Sequence, residues 1–219
     1  MRLTYLFIGF WYNISYGCIM NVFNNYNIKD IKSHLSIIHS GVITVSSILY
    51  LNNIIEIQYV LDNLYFLSSY MLCDIVYNYF YWNKKEIFLK GLHHSIAFIG
   101  IYLIESNMYE TIIIKLFLTE IINIPLELRF ISIRYNYNKY YFKNIMSCVI
   151  YILFLYTRIV NPLKDYINIC KTGSWIAFID FSLIYILWIY WFIMVNIKFY
   201  NEFSKILFNE IKDSRKYLF

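Results

Sequence analysis

The sequence predicts an all-α membrane protein with about seven transmembrane helices. Hydrophobic residues make up 60% of the 219 residues and charged residues only 15%, against roughly 45–50% and 25% in soluble domains. Apolar segments of the length that crosses a bilayer as a helix, about 20 residues, recur along the chain. We place them at 3–23, 34–52, 58–81, 89–105, 111–131, 143–162 and 174–198. Helix is expected because each spanning segment must satisfy its own backbone hydrogen bonds.

The chain is expected to form one helical unit, since it carries no Gly-, Ser- or Pro-rich linker and no internal repeat. Residues 1–32 hold the first helix and a loop, residues 33–200 the main domain, and residues 201–219 a basic tail. Residues 2–22 could instead be a cleaved signal peptide. Their single basic residue, long apolar run and bulky Trp11 and Tyr12 favour a retained helix.

Basic residues in the loops predict the orientation. Thirteen lie on one side of the predicted spans: Lys29, Lys32, Lys84, Lys85, Lys90, Arg134, Lys139, Lys143, Lys198, Lys205, Lys212, Arg215 and Lys216. Arg2, Lys164 and Lys171 lie on the other. Because positive loops stay in the cytosol, the N-terminus is expected to be lumenal or external and the C-terminal tail cytosolic. The net charge of +5 is explained in this way, so no nucleic-acid partner is expected.

Polar residues recur at helical spacing on four of the spans. The stripes are Ser36, His39, Ser46, Tyr50 and Asn53; Asn63, Tyr70, Asp74, Tyr77 and Asn78; Glu120, Asn123 and Glu127; and Asn144, Ser147, Tyr151, Arg158 and Asn161. Polar groups within spans usually face the bundle interior and mark function. The four stripes therefore predict one internal polar cavity.

The fourth span carries an adjacent pair, His93 and His94, about 100° apart around the helix. Both can flank the cavity and serve as a base, a nucleophile or a metal ligand. Zinc-binding pairs on helices favour i, i+4 spacing, so no metal is expected. The alternative is that both histidines make hydrogen bonds between helices. Asp74 is likewise either a functional carboxylate or a structural partner of Arg158 or a histidine.

Pro125 is expected to kink the fifth span, because the Ile121 carbonyl loses its helical donor. In an ideal helix Lys115 and Arg129 lie on the face opposite Glu120. Both can extend to the headgroups, although the kink could redirect Arg129 inward.

Five segments, in order, resemble the TLC-domain family of translocon-associated helpers, ceramide synthases and lipid-homeostasis proteins. They are Ser36 to Ser40 around His39, Ser69 to Asp74, the pair His93-His94, Leu118 to Pro125 with Arg129 downstream, and Phe154 to Pro162 around Arg158. The resemblance covers about residues 33–200. It implies a barrel-like bundle of about six or seven helices around a lipid-accessible cavity, in the endoplasmic reticulum.

The resemblance also implies an activity. In ceramide synthases, paired histidines and acidic residues transfer an acyl group from acyl-CoA to a sphingoid amine, so His93, His94 and Asp74 are the expected catalytic residues. The expected substrate-binding residues are His39, Tyr70, Glu120, Asn123, Arg129 and Arg158. Acyl-CoA would be a co-substrate, with no tightly bound cofactor. The partner would be a membrane lipid, and a homo-oligomer is left open.

One departure favours the non-synthase branch of the family. Where ceramide synthases carry a His-Asp…Asp pattern, this chain has Thr119-Glu120…Asn123, followed by Pro125. The alternative function is therefore a non-enzymatic lipid sensor, or a trafficking or translocon helper.

Overall fold

A computed structural model describes residues 2–24, 27–81, 84–106, 109–135, 140–172 and 175–216. These residues form seven continuous helical segments and contain no strand. The segments are α1 (Arg2–Asn24), α2 (Ile28–Leu51), α3 (Ile57–Tyr81), α4 (Lys84–Glu105), α5 (Glu110–Phe117, Leu118–Ile122 and Asn123–Arg134), α6 (Tyr140–Phe154, Leu155–Val160 and Asn161–Thr172) and α7 (Trp175–Lys216). The predicted all-α class is confirmed, and each predicted span falls on one segment.

Within the described residues, three helices are long and apolar enough to cross a membrane: Ile28–Leu51, Phe142–Lys171 and Trp175–Asn201. Large apolar side chains also cover outward faces. Trp11 on α1, Ile152 on α6 and Ile186 on α7 are 70%, 63% and 63% exposed. Extended apolar surface of this kind marks contact with a membrane or another protein.

Six of the helices pack in the order α2, α3, α4, α7, α6, α5 and back to α2, and α4 also contacts the first part of α5. Helix α1 packs outside this order, against α3 and α2. The approach of α1 to α3 is close, because a Cβ atom on Gly9 would lie 2.2 Å from Ser69 Oγ. A fully buried apolar cluster, including Ile43, Leu64 and Ile114, joins α2, α3 and α5.

Both prolines follow a change in helix type. The five residues Leu118–Ile122 form a 3₁₀ segment just before Pro125, where the sequence predicts a disturbed helix. The six residues Leu155–Val160 form a π-helical segment just before Pro162. Pro162 cannot donate to the carbonyl four residues back, which is that of Arg158, so the regular α-helical pattern is interrupted there.

Polar contacts join helix ends at the two ends of the bundle. At one end, Asp30 at the start of α2 forms an ion pair with Arg134 and accepts a 2.8 Å hydrogen bond from Tyr135. At the other end, Lys115 of α5 lies 3.5 Å from Asp165 of α6. Lys115 therefore has a protein partner instead of extending freely to the headgroups.

Candidate functional site

A cavity of about 690 Å³, the main cavity, lies among α2 to α7. This volume is within the range of small-molecule binding pockets. Its polar lining residues are Lys32, Ser36, Tyr70, Asp74, Lys90, His93, His94, Asn123, Glu127, Arg158 and Asn201. Its apolar lining residues are Ile122, Leu126, Ile150, Phe154, Trp191, Met194, Val195 and Ile197. A lining with both kinds of side chain can hold a ligand that has a polar head and an apolar chain.

Asp74 connects three helices at the wall of the main cavity. Its Oδ2 atom lies 3.1 Å from His94 Nε2 on α4, and its Oδ1 atom lies 2.6 Å from Lys32 Nζ on α2. The aspartate is 5% exposed. The sequence left two possible partners for Asp74, Arg158 or a histidine. The structure shows the histidine, His94, and among the described residues Arg158 forms no ion pair with Asp74. A buried carboxylate shared by a histidine and a lysine is an arrangement found at catalytic centres and at structural networks alike.

The bond to Asp74 sets the chemistry of His94. A carboxylate accepts hydrogen bonds, so a neutral His94 donates from Nε2 and keeps the lone pair on Nδ1. His94 Nδ1 has no hydrogen-bond partner among the described residues. Nδ1 is itself buried, and its lone pair is the position at which this histidine can accept a proton while Asp74 orients the ring.

His93 lies beside the pair, with its ring centroid 5.5 Å from that of His94. Its Nε2 atom is 3.8 Å from Glu120 Oε1, and its ring meets Trp191 edge-on at 5.3 Å. Glu120 also accepts a hydrogen bond from Asn123. His93 and Glu120 further line a second, small cavity of about 40 Å³, so His93 separates the two spaces.

Arg158 lines the main cavity from the π-helical segment of α6. Its guanidinium carbon lies 5.1 Å, 5.9 Å and 5.7 Å from the ring centroids of Phe154, Trp188 and Trp191. Its Nε atom is buried and has no partner among the described residues. Aromatic rings thus surround the guanidinium of Arg158, and no carboxylate among the described residues forms an ion pair with it.

Tyr70 and Ser36 both line the main cavity. His39, by contrast, is not among the lining residues. Its ring stacks between Phe66 at 4.5 Å and Tyr70 at 4.9 Å, and its Nε2 atom lies 2.9 Å from Asn13 Oδ1 on α1. In this position His39 connects α1 to α2 and α3.

Arg129 is also absent from the lining of the main cavity. It is buried, and its Nε donates a 2.9 Å hydrogen bond to Ser147 of α6. The inward redirection considered from Pro125 matches this burial, but the side chain joins α5 to α6 and does not reach the cavity.

Six of the nine site residues expected from the sequence line the main cavity: Asp74, His93, His94, Tyr70, Asn123 and Arg158. Glu120 lies behind His93 at the small cavity. From the four polar stripes, Ser36 and Glu127 also reach the main cavity. The side chains of Tyr77 and Asn78 fall outside the described part of the chain.

Two lysines of the main cavity were counted with the loop residues when the orientation was predicted: Lys32, which precedes the span 34–52, and Lys90, at the start of the span 89–105. The structure corrects this: both lie within helices and line the cavity. Their spacing holds the missing signal, because Lys32 precedes Ser36, and Lys90 precedes His94, by one helical turn.

Among the described residues no group of three His, Cys, Asp or Glu side chains could hold a metal ion.

Comparisons with known proteins found no match for this chain. No protein-family model, no curated protein and no solved structure matches it.

Proposed function

We propose that this chain is an integral membrane protein of the TLC type that binds an acyl lipid in the main cavity. In this proposal all seven helices cross the membrane of the endoplasmic reticulum, with a lumenal N-terminus and a cytosolic C-terminus. The order in which α2 to α7 pack against one another supports a barrel-like bundle. The exposed apolar side chains on α1, α6 and α7 support contact with lipid.

The hydrogen bond between Asp74 and His94 at the cavity wall carries the proposal further, to acyl transfer. His94 Nδ1 would take the proton of an attacking sphingoid amine while the amine nitrogen bonds to the thioester carbonyl carbon of acyl-CoA. The carbon–sulfur bond then breaks, and the imidazolium returns its proton to the departing thiolate. The products are an N-acyl amide and free CoA. Asp74 would hold the ring and stabilise its charged form.

A non-enzymatic function is the second candidate, as a lipid sensor or a trafficking or translocon helper. It is favoured by the contact between Asp74 and Lys32, because the same carboxylate joins α2, α3 and α4. In that case the polar residues of the main cavity stabilise the bundle around a bound lipid and turn over nothing.

An assay with purified protein in nanodiscs separates the two candidates. Labelled acyl-CoA and a sphingoid base are expected to give an amide product with the wild type. Loss of the His94 base should lower the rate by about 10²–10⁴-fold in His94→Ala. Ser95→Ala is the matched control, because Ser95 is the exposed next residue and bonds only its own helix, at Gly91.

Wild-type protein that forms no more product than His94→Ala would end the acyl-transfer proposal. If the same protein still binds lipid, the sensor remains. Lipid analysis after deletion of the gene is the cellular counterpart: selective loss of ceramides indicates the enzyme, and a diffuse shift in phospholipid saturation indicates the sensor.

A further inference from the structure

The guanidinium of Arg158 is a buried cation without a matching anion in the described part of the chain. The residue is 5% exposed, and no described residue accepts a hydrogen bond from it or forms an ion pair with it. Charged groups within a membrane usually pair with one another or with backbone carbonyls. The aromatic rings of Phe154, Trp188 and Trp191 compensate the charge in part, but the buried Nε–H donor has no hydrogen-bond partner among the described residues.

The nearest compensating carboxylate does not fill this role. Glu120 acts on Arg158 electrostatically, yet its own oxygens face His93 and the amide of Asn123. Asp74, the other acidic group near the histidines, is held by Lys32 and His94. An anion that satisfies Arg158 would therefore have to come from a ligand in the main cavity.

We propose that Arg158 binds the carboxylate of a single-chain fatty acid, whose chain lies along the apolar wall of the main cavity. This inference rests on the lipid-binding cavity of the proposed function, and it does not require acyl transfer. A guanidinium offers two parallel N–H donors that match the planar carboxylate. Leu126, Ile150 and Val195 provide apolar wall in the same cavity.

The shape of the Arg158 site favours a carboxylate over a phosphate. The charged side chains at or beside the main cavity balance, with Lys32, Lys90 and Arg158 against Asp74, Glu120 and Glu127. Their sum therefore does not select between a fatty acid and a phosphomonoester. A phosphate head is tetrahedral, however, and fits less well among three aromatic rings than a flat carboxylate does.

Competition binding tests the assignment. Wild-type protein in nanodiscs is loaded with radiolabelled palmitate and challenged with palmitate, hexadecanol or hexadecyl phosphate. Palmitate is expected to compete about tenfold to hundredfold better than hexadecanol, the range for a hydrogen-bonded charged group. In Arg158→Met this preference should disappear, and in Arg158→Lys it should fall to a few-fold, because lysine keeps the charge without the paired donors.

Arg129→Lys is the matched control, since Arg129 is equally buried but lies outside the lining of the main cavity. It should retain the preference of the wild type. If Arg158→Met fails to fold, the wild type and Arg158→Lys still give the comparison of the two head groups. Equal competition by hexadecanol and palmitate on the wild type would overturn the role of Arg158 and leave the lipid-binding cavity standing. Stronger competition by hexadecyl phosphate would overturn the choice of a carboxylate, and no binding of any chain would remove the lipid cavity itself.

Discussion

Removing the charge of Asp74 tests the contact on which the candidate site is built. In Asp74→Asn the side chain keeps its shape but no longer neutralises Lys32, whose ammonium lies 2.6 Å away and is 14% exposed. Leaving one member of a buried ion pair without its partner costs about 3–5 kcal/mol. The free energy of unfolding should therefore fall by an amount in that range.

A double-mutant cycle isolates the pair itself. Lys32→Met keeps the aliphatic stem and leaves Asp74 with His94 as a partner, so it should cost about 1–3 kcal/mol. The double variant should lose less free energy of unfolding than the two single losses added together, by about 1–3 kcal/mol. This coupling should exceed the ~0.6 kcal/mol average measured for hydrogen bonds between transmembrane helices, because both groups are charged.

Equilibrium unfolding in mixed detergent micelles, followed by circular dichroism, measures all four proteins. Ser95→Ala, a change at an exposed site on α4, serves as the control and should stay within about 0.5 kcal/mol of the wild type. If the losses from Asp74→Asn and Lys32→Met simply add, the two side chains do not interact in the folded protein. The description of Asp74 as the connection between α2, α3 and α4 would then be wrong.

Two further changes test the packing that positions the site. Gly9→Ala should weaken the contact between α1 and α3 and lower thermal stability, since the new Cβ would lie 2.2 Å from Ser69 Oγ. Gly41→Ala is the control, because its Cβ would meet nothing within 4 Å. Equal melting temperatures for the two variants would contradict the close approach. Asp30→Asn should destabilise the end of the bundle where α2 meets α5, because Asp30 is 1% exposed and pairs with Arg134. Hydrogen exchange should rise at the start of α2, and unchanged protection there would argue against the contact.

The helices were predictable because the length and apolar composition of each segment can be judged independently of the others. All seven predicted spans fall on the observed helices, although α6 and α7 continue to Thr172 and Lys216. Spacing within one helix also placed Asp74 and Arg158 on inward faces and predicted that His93 and His94 flank the cavity. Each of these predictions needed only the period of a single helix.

What sequence reasoning missed depends on contacts between helices. Lysine near a predicted helix end is typical of a loop, and only the position of Asp74 on a neighbouring helix shows why Lys32 turns inward. His39 shares the inward pattern of its stripe, yet the ring is stacked against Phe66 and held by Asn13 of α1. The π-helical segment around Arg158 depends on Pro162, whose missing donor affects a residue four positions earlier.

The two proposals concern two parts of the main cavity, the Asp74–His94 pair and Arg158, and His93 lies between them. On one side His93 approaches His94, whose ring is oriented by Asp74. On the other it contacts Trp191, which also lies against Arg158. A carboxylate bound at Arg158 and an acyl carbon reacting at His94 would thus occupy adjacent parts of the main cavity. A fatty acid held by Arg158 should therefore compete with an acyl donor for the same apolar wall, which makes inhibition of amide formation by free palmitate the point where the two proposals meet.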